Sequence, residues 1–508
     1  MTSFERINKQ RLEKLERIRA AGIKPYPNSF QRSHTTEQVV TWVNENLPVS
    51  KEVTQATISI RNLIDDTPEV TVAGRITARR KMGKLSFLDL RDGSGKIQLM
   101  VGNKFNPKGN ELLNKLFNEI DIGDILGIIG RPFRTRTNEP TISVYEITLL
   151  AKSLEPLPEK WHGLSDVETR YRQRYLDLIS NPEVHQTFKL RSLVIAAIRQ
   201  FLNERGFIEV ETPTLQPSAG GALARPFITH HHALDQNFYL RIATELHLKR
   251  LIVGGFDKVY ELGKTFRNEG INTQHNPEFT EMESYEAYAD YNDVMKMVEE
   301  MVAKVCQQVL GTLEVKYGEN IINFKPPWKR LSLREAILEY SGIDFVKFPT
   351  ALGLREKMSM MKIEADPQKN WAKLVDELLS TIVMPKIIQP TFIMDYPVSM
   401  SPLAKSKPGE ERVVERFQSF AGGIEFGNAY SELNDPIEQR KRFEEQIKER
   451  QSEGEERWAI DEDYLLALEY GMPPTGGLGI GIDRLVMLLT NQQSIREVIL
   501  FPQLKEKG

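Results

Sequence analysis

Apolar residues recur at helical spacing first. Leu12, Leu15 and Ile18 fall on one stripe and predict an amphipathic helix over 6–22. Glu13 and Arg17 form a favourable i,i+4 pair on it, and Gly22 and Pro25 end it. Between 56 and 152 the period changes to two. VTVAGRI (70–76), KLSFLDLR (84–91), KIQLMVG (96–102) and TISVYEITLL (141–150) predict short strands. Asp92-Gly93-Ser94-Gly95 supplies a hairpin turn, and 110–118 one intervening helix. Together they predict a small barrel. Ile97, Leu99 and Val101 share a core face, with Gln98 opposite. Ser86, Leu88 and Leu90 share one face of the preceding strand. Leu85, Phe87, Asp89 and Arg91 take the other.

Pro156, Pro158 and the run ETRYRQRYLDL predict a linker and hinge helix over 153–185, its arginines solvated. From 186 a wide apolar stripe (Leu190, Leu193, Val194, Ala197, Ile198, Phe201, Leu202) predicts a packed helix. Gly206 ends it, and a strand follows over 207–210. Alternation over 259–267 and 279–285 predicts two more strands, joined by a Gly-, Asn- and Pro-rich loop over 270–277. Residues two apart share a face, so Phe279, Glu281, Glu283 and Tyr285 point one way, as do Arg267 and Glu269. Residues 330–385 are rich in Lys, Glu and Leu and predict helices. In EFGNAYSE (425–432), Asn428, Tyr430 and Glu432 share parity; Glu425 joins them only if Gly427 marks a bulge. In GGLGIGIDRLVML (476–488), Gly477, Gly479 and Gly481 leave one strand face bare, and Asp483-Arg484 opens a helix.

Composition narrows the picture. At 508 residues, two or three domains are expected. Hydrophobic content of 40% and charged content of 27% fit a globular protein. There is no long apolar run for a membrane helix and no secretory signal at the start. A single cysteine, Cys306, excludes an internal disulfide framework and a cysteine-based zinc site, and fits a reducing cytoplasm. Net charge of −3 excludes a generally basic coat, so any nucleic-acid contact must use local patches. Phe87 near Arg79, Arg80 and Lys81 offers such a patch, because an aromatic beside cations can stack single-stranded bases. The neighbouring His230, His231 and His232 lack ligand spacing for one metal ion.

The 258–285 stretch, KVYELGKTFRNEGINTQHNPEFTEMESY, presents a cation, carboxylates and aromatics on one surface. Such a surface suits a phosphate, a flat base and an amine. Phe266-Arg267-Asn268-Glu269 resembles the F-R-x-E signature of class II aminoacyl-tRNA synthetases, and the 476–488 run resembles their third motif. FRNEGINTQHNPEFTEMESY is similar to the lysyl-tRNA synthetases in particular, and the resemblance covers nearly the whole chain.

The resemblance implies an α+β fold: an N-terminal OB-fold β-barrel, plus a class II catalytic domain with an antiparallel sheet and helices. It implies an N-terminal helical segment over 1–55, an anticodon-binding domain over 56–152, a linker over 153–185 and a catalytic domain over 186–508. The helical insertion spans about 330–385. It further implies ATP-dependent activation of lysine, transfer to tRNA(Lys), Mg²⁺ and a cytoplasmic homodimer. Arg267 and Arg484 become the catalytic arginines. Arg267, Glu269, His275, Phe279, Glu425 and Arg484 would bind ATP, with Glu425 also on the metal. Gly221, Glu245, Arg267, Glu283, Tyr285, Asn428, Tyr430 and Glu432 would bind lysine. Phe87, Gln98 and Glu139 match anticodon-reading positions, with Arg79 a further candidate. The chain departs from the family at Gln418, where a second metal-binding glutamate is expected. A protein-lysylating paralogue and a non-catalytic tRNA-binding protein are the alternatives.

Overall fold

The structure is a computed structural model. It describes residues 3–47, 67–83, 85–102, 116–135, 137–158, 164–218, 220, 224–452 and 460–506. The chain divides into two compact units, Met1–Gly163 and Leu164–Gly508.

In the first unit a closed barrel forms. Its strands run in the order Val70–Met82, Leu85–Arg91, Lys96–Val101, Pro140–Ala151, Ile125–Arg134. Ile97, Leu99 and Val101 are buried as their parity requires, together with Leu88 and Leu90. The Ile125–Arg134 strand is the one that the alternation does not reveal, because Gly127, Gly130 and Pro132 interrupt it. Those glycines have packing reasons. A Cβ on Gly127 would overlap the Phe30 ring, and one on Gly130 the Ser143 carbonyl. Of the helix expected over 110–118, only residues from 116 lie among those described, and these are helical. The Ser3–Ala20 helix belongs to the same unit. Lys14 pairs with Asp121 at 2.5 Å, Arg17 with Glu119 at 2.9 Å, and Arg11 donates to the Ser153 carbonyl. The basic face of this helix is thus spent partly on its own barrel.

The second unit is built on one long sheet. From edge to edge its strands are Lys329–Ser332, Thr391–Pro397, Glu410–Ala421, Ile424–Ser431, Thr475–Gly481, Glu278–Ala287, Lys258–Phe266 and Ile208–Glu209. Only the two outermost pairings are parallel. One face carries Tyr260, Met282, Leu478, Ile480, Ala429 and Phe417. It is buried under the helices Pro182–Glu204, Tyr291–Leu310 and Ile482–Leu489 through Val194, Ile198, Val298 and Val302. The opposite face, one residue out of phase, is left for chemistry. The helices Leu333–Ser341, Ala351–Met360 and Trp371–Leu378 fill the expected insertion and pack through Ile337, Leu354, Met358 and Leu374.

One expectation is corrected here. The arginines of 170–174 are not solvated linker residues. Arg174 is fully buried, pairs with Asp177 at 2.5 Å and donates to the carbonyls of Leu500 and Arg496. Arg170 and Tyr171 both reach Glu497. A buried guanidinium survives only when its donors are met, and the C-terminal segment meets them. This helical pair therefore belongs to the second unit.

Candidate active site

Antiparallel register places directly opposed residues on the same face. Three rows follow across the centre of the sheet. Tyr285 faces Gly477, which faces Tyr430; Glu283 faces Gly479, which faces Asn428; Glu281 faces Gly481. The glycine strand is therefore a bare floor between two strands that carry the functional groups. Gly477 is the position that most needs to be glycine, since a Cβ there would overlap the Glu432 carboxylate and crowd Tyr285. The pairing shifts between Ser419 and Phe420, so that Phe420 faces Glu425 and Ser419 faces Gly427. This bulge resets parity and turns Glu425 to the same face as Asn428. The sequence allowed that bulge at Gly427; the register contains it.

These rows form the floor of a cavity of about 500 Å³. Glu245, Arg267, Glu269, His275, Phe279, Glu283, Tyr285, Glu425, Asn428, Tyr430, Glu432 and Arg484, drawn from four separate stretches of sequence, all line it. Gly221 lies outside the described residues, though Gly220 lines the cavity. The volume suits a nucleotide with a small second substrate.

One end is cationic. The Arg267 guanidinium stands 5.0 Å from the Phe279 ring centroid, and its Nε donates to the Ile242 carbonyl. Arg484 donates to the Glu425 carbonyl at 3.0 Å and to His275 Nε2 at 2.9 Å. His275 Nδ1 meets Asn272 Oδ1 at 3.0 Å, so Nδ1 carries the proton and Nε2 accepts. Burial and the Arg484 charge lower the His275 pKa, which keeps the ring neutral. Arg484 itself is aimed by its neighbour. Asp483 is buried, pairs with Arg191 at 2.5 Å and accepts from the Thr280 amide at 2.7 Å, which fixes the start of the Ile482–Leu489 helix.

The other end is acidic. Glu245, Glu283 and Glu432 converge there, all buried, and Glu281 stands between them and the two arginines. Burial pushes the Glu283 carboxyl up to about 8, helped by Glu281 and Glu245 and opposed by the Thr244 amide and the Tyr285 hydroxyl. Burial also raises Glu281, one of whose oxygens is buried without a hydrogen bond. Tyr430 donates to Glu245 at 2.7 Å. Among these acids lies a residue that sequence reasoning did not single out, Lys249. Its ammonium is fully buried, 2.5 Å from Glu245 and in ion-pair contact with Glu432. The i,i+4 spacing of Glu245 and Lys249 was its sequence signal. Arg416 was missed as well. It donates to Asn428 Oδ1 at 2.8 Å, which leaves the Asn428 amide hydrogens as donors.

Gln418 is buried in the row beside Asn428, and its amide oxygen accepts from the Tyr396 hydroxyl at 2.5 Å. Glu425 is half-buried, with a carboxylate oxygen 3.7 Å from Arg484. Among the described residues no group of three or more His, Cys, Asp or Glu side chains could hold a metal by itself. One carboxylate and one amide do suit Mg²⁺ when phosphate oxygens complete its shell.

The barrel carries its own surface. Phe87 faces Met100, and Gln98 faces Asp89 on one side and Thr141 on the other. Phe87 is half-buried in an outer apolar cluster with Met100 and Phe133. Thr141 donates to Gln98 Oε1 at 3.1 Å, and Glu139, exposed, comes just before that strand. Phe87, Gln98 and Glu139 thus share the outer face of three adjoining strands. Arg79 differs: its guanidinium donates to the Ile120 carbonyl and lies 4.2 Å over the Phe117 ring.

Comparison with known proteins agrees with both units. Residues 70–150 match the model of the OB-fold nucleic acid binding domain. Residues 166–505 match that of class II tRNA synthetases (D, K and N). A lysine–tRNA ligase of Dehalococcoides mccartyi is 57% identical, over 99% of this chain and 98% of its own. Those of Moorella thermoacetica (53%; 98% of this chain, 97% of its own) and Roseiflexus castenholzii (50%; 99% of each) are similar over the same extent. With an open-faced antiparallel sheet, two arginines at one end of its cavity and matches of this reach, the chain belongs to the class II tRNA synthetases of the D, K and N group.

Proposed function

We propose that this protein is a lysine–tRNA ligase, which activates L-lysine with ATP and transfers the lysyl group to the 3′ end of tRNA(Lys). The observation that carries the substrate is the acidic end of the cavity, where Glu245, Glu283 and Glu432 stand against one internal ammonium. A pocket of that charge attracts a substrate bearing two amines and repels aspartate. The relatives named above carry the same activity in their names. Against a protein-lysylating paralogue stands the closed barrel, which such an enzyme has no anticodon to use. Against a non-catalytic protein stand the two arginines and the carboxylates that line one cavity, with Gln418 the one departure.

No protein nucleophile is required. The lysine carboxylate attacks the α-phosphate and displaces pyrophosphate; positioning and charge neutralisation supply the catalysis. Arg267 holds the carboxylate and the α-phosphate together, two groups that repel each other. Arg484 binds the γ-phosphate, and neutral His275 reaches the β/γ region from the loop, where its Nε2 accepts from Arg484 and steadies that guanidinium. Phe279 stacks on adenine, and Glu269 accepts from its amino group. Glu432 and Tyr285 hold the ε-ammonium. Glu245, with the backbone of Gly221, holds the α-amine, Glu283 lies alongside, and Tyr430 steadies Glu245. Asn428, its oxygen occupied by Arg416, donates to the substrate carboxylate. Glu425, with Gln418 as a neutral neighbour, would hold Mg²⁺ through the phosphates, and this ion would neutralise the charge on the pyrophosphate leaving group. In the barrel, Phe87 stacks on an anticodon base and Gln98 and Glu139 hydrogen-bond base edges, while Arg79, engaged with Ile120 and Phe117, takes no direct part.

The Pro182–Glu204 helix, with Leu193 53% exposed, supports a homodimer. The lone thiol Cys306 supports a cytoplasmic setting. The test is aminoacylation with ATP, Mg²⁺ and labelled lysine, using tRNA(Lys) and tRNA(Asp) transcripts in parallel. Lysyl-tRNA should form on the first alone. Formation on neither, or equally on both, would contradict the proposal.

A further inference from the structure

A lysine that is 0% exposed needs a reason, because burying an ammonium costs several kcal/mol unless it is matched. Lys249 is matched on two sides, by Glu245 from its own helix and by Glu432 from the end of the Ile424–Ser431 strand. Tyr430 and Tyr464 lie 5.5 and 5.9 Å from its Nζ. Glu283 and Tyr285 close the pocket from the Glu278–Ala287 strand.

The division of Glu432 is the informative detail. One carboxylate oxygen, Oε2, meets Lys249. The other, Oε1, is in no ion pair and lies beside the side-chain-free face of Gly477, and neither oxygen has a hydrogen bond. An unpartnered buried oxygen is costly, so its partner is expected to come from the cavity. We infer that Lys249 is a positioning residue for substrate specificity: it holds Glu432 through one oxygen, so that the other is presented to the substrate ammonium. This deepens the reading of the pocket as a lysine site and rests on it.

Burial chiefly, with Glu245 and Glu283 beside it, holds the Glu432 carboxyl well above the ordinary carboxylate range, and Lys249 is the cation opposing that rise. Without Lys249 the carboxyl rises further, so a smaller share of Glu432 is ionised at neutral pH and its attraction for an ammonium falls. Raising the pH then restores it. A role in packing alone would give no such pH dependence.

The test compares K249M, E432Q and the K249M/E432Q double variant with the unaltered protein in lysine-dependent ATP–pyrophosphate exchange. K249M should raise the lysine KM on the order of tenfold near pH 7, one pKa unit of differential interaction. That deficit should shrink as pH rises, while the ATP KM changes little. In the E432Q background K249M should add nothing, since the residue it acts through is already neutral. The double variant also has no unpaired buried charge between positions 249 and 432, so it serves if K249M alone folds poorly. A K249M lysine KM that is unchanged, lowered or raised equally at every pH would overturn the inference, as would a further loss in the E432Q background. Failure of the unaltered protein to use lysine would instead reject the pocket reading itself.

Discussion

Glu432 concentrates the substrate claim in one residue. One charge-assisted hydrogen bond to an ammonium is worth about 1.5–3 kcal/mol. E432Q should therefore raise the lysine KM roughly 10- to 100-fold and leave the ATP KM near its starting value; steady-state exchange kinetics would reveal an unchanged lysine KM if the assignment were wrong. Glu283 gives a second handle. Its carboxyl, pushed up to about 8 chiefly by burial, keeps a proton near neutral pH that the unfolded chain has already lost. Its contribution to stability thus falls as pH rises from its ordinary value of 4.5 towards 8. Lysine brings ammonium groups beside it, so binding near pH 7 should expel a proton. Titration calorimetry in buffers of different ionisation enthalpy should show that release, and lose it above about pH 9. Gln418 gives a third. Q418E keeps an acceptor for Tyr396 and adds a charge to the metal-binding face, so half-maximal exchange should need less Mg²⁺. A Mg²⁺ titration that is unmoved would place the ion elsewhere.

At the scale of elements, legibility followed periodicity. The strands about Arg267 and Glu283 and the glycine strand were readable because one residue type recurs every second position. The bulge at Gly427 was readable only as a condition, since parity alone could not decide whether Glu425 joins Asn428; pairing with the neighbouring strand decides it. The Ile125–Arg134 strand escaped because its glycines answer to Phe30 and Ser143, contacts remote in sequence. Lys249 and Arg174 escaped for a related reason. Charged residues read as solvated until the fold shows which distant carboxylates and carbonyls receive them. The outer face of the barrel supports a further prediction. F87A removes an aromatic that is half-buried rather than core, so it should weaken tRNA(Lys) charging and leave lysine-dependent exchange intact. Equal loss in both assays would show that the ring is structural.

For the whole molecule, the division of labour between units is the main result. Each has its own core and its own functional face. The barrel presents aromatic and amide groups suited to unpaired bases. The sheet carries arginines at one end of a cavity, as phosphates would require, and carboxylates at the other, as an amine would. With a net charge of −3, the chain offers tRNA no general positive field, so its recognition would fall to local faces. Among the described residues no helix is long and apolar enough to cross a membrane. The central claim is that the acidic end of the cavity selects lysine. Amino-acid-dependent ATP–pyrophosphate exchange, with lysine, aspartate and asparagine in parallel, tests it most directly. Exchange with lysine alone is the predicted result. Exchange driven by aspartate or asparagine would keep the fold and contradict the reading of the pocket.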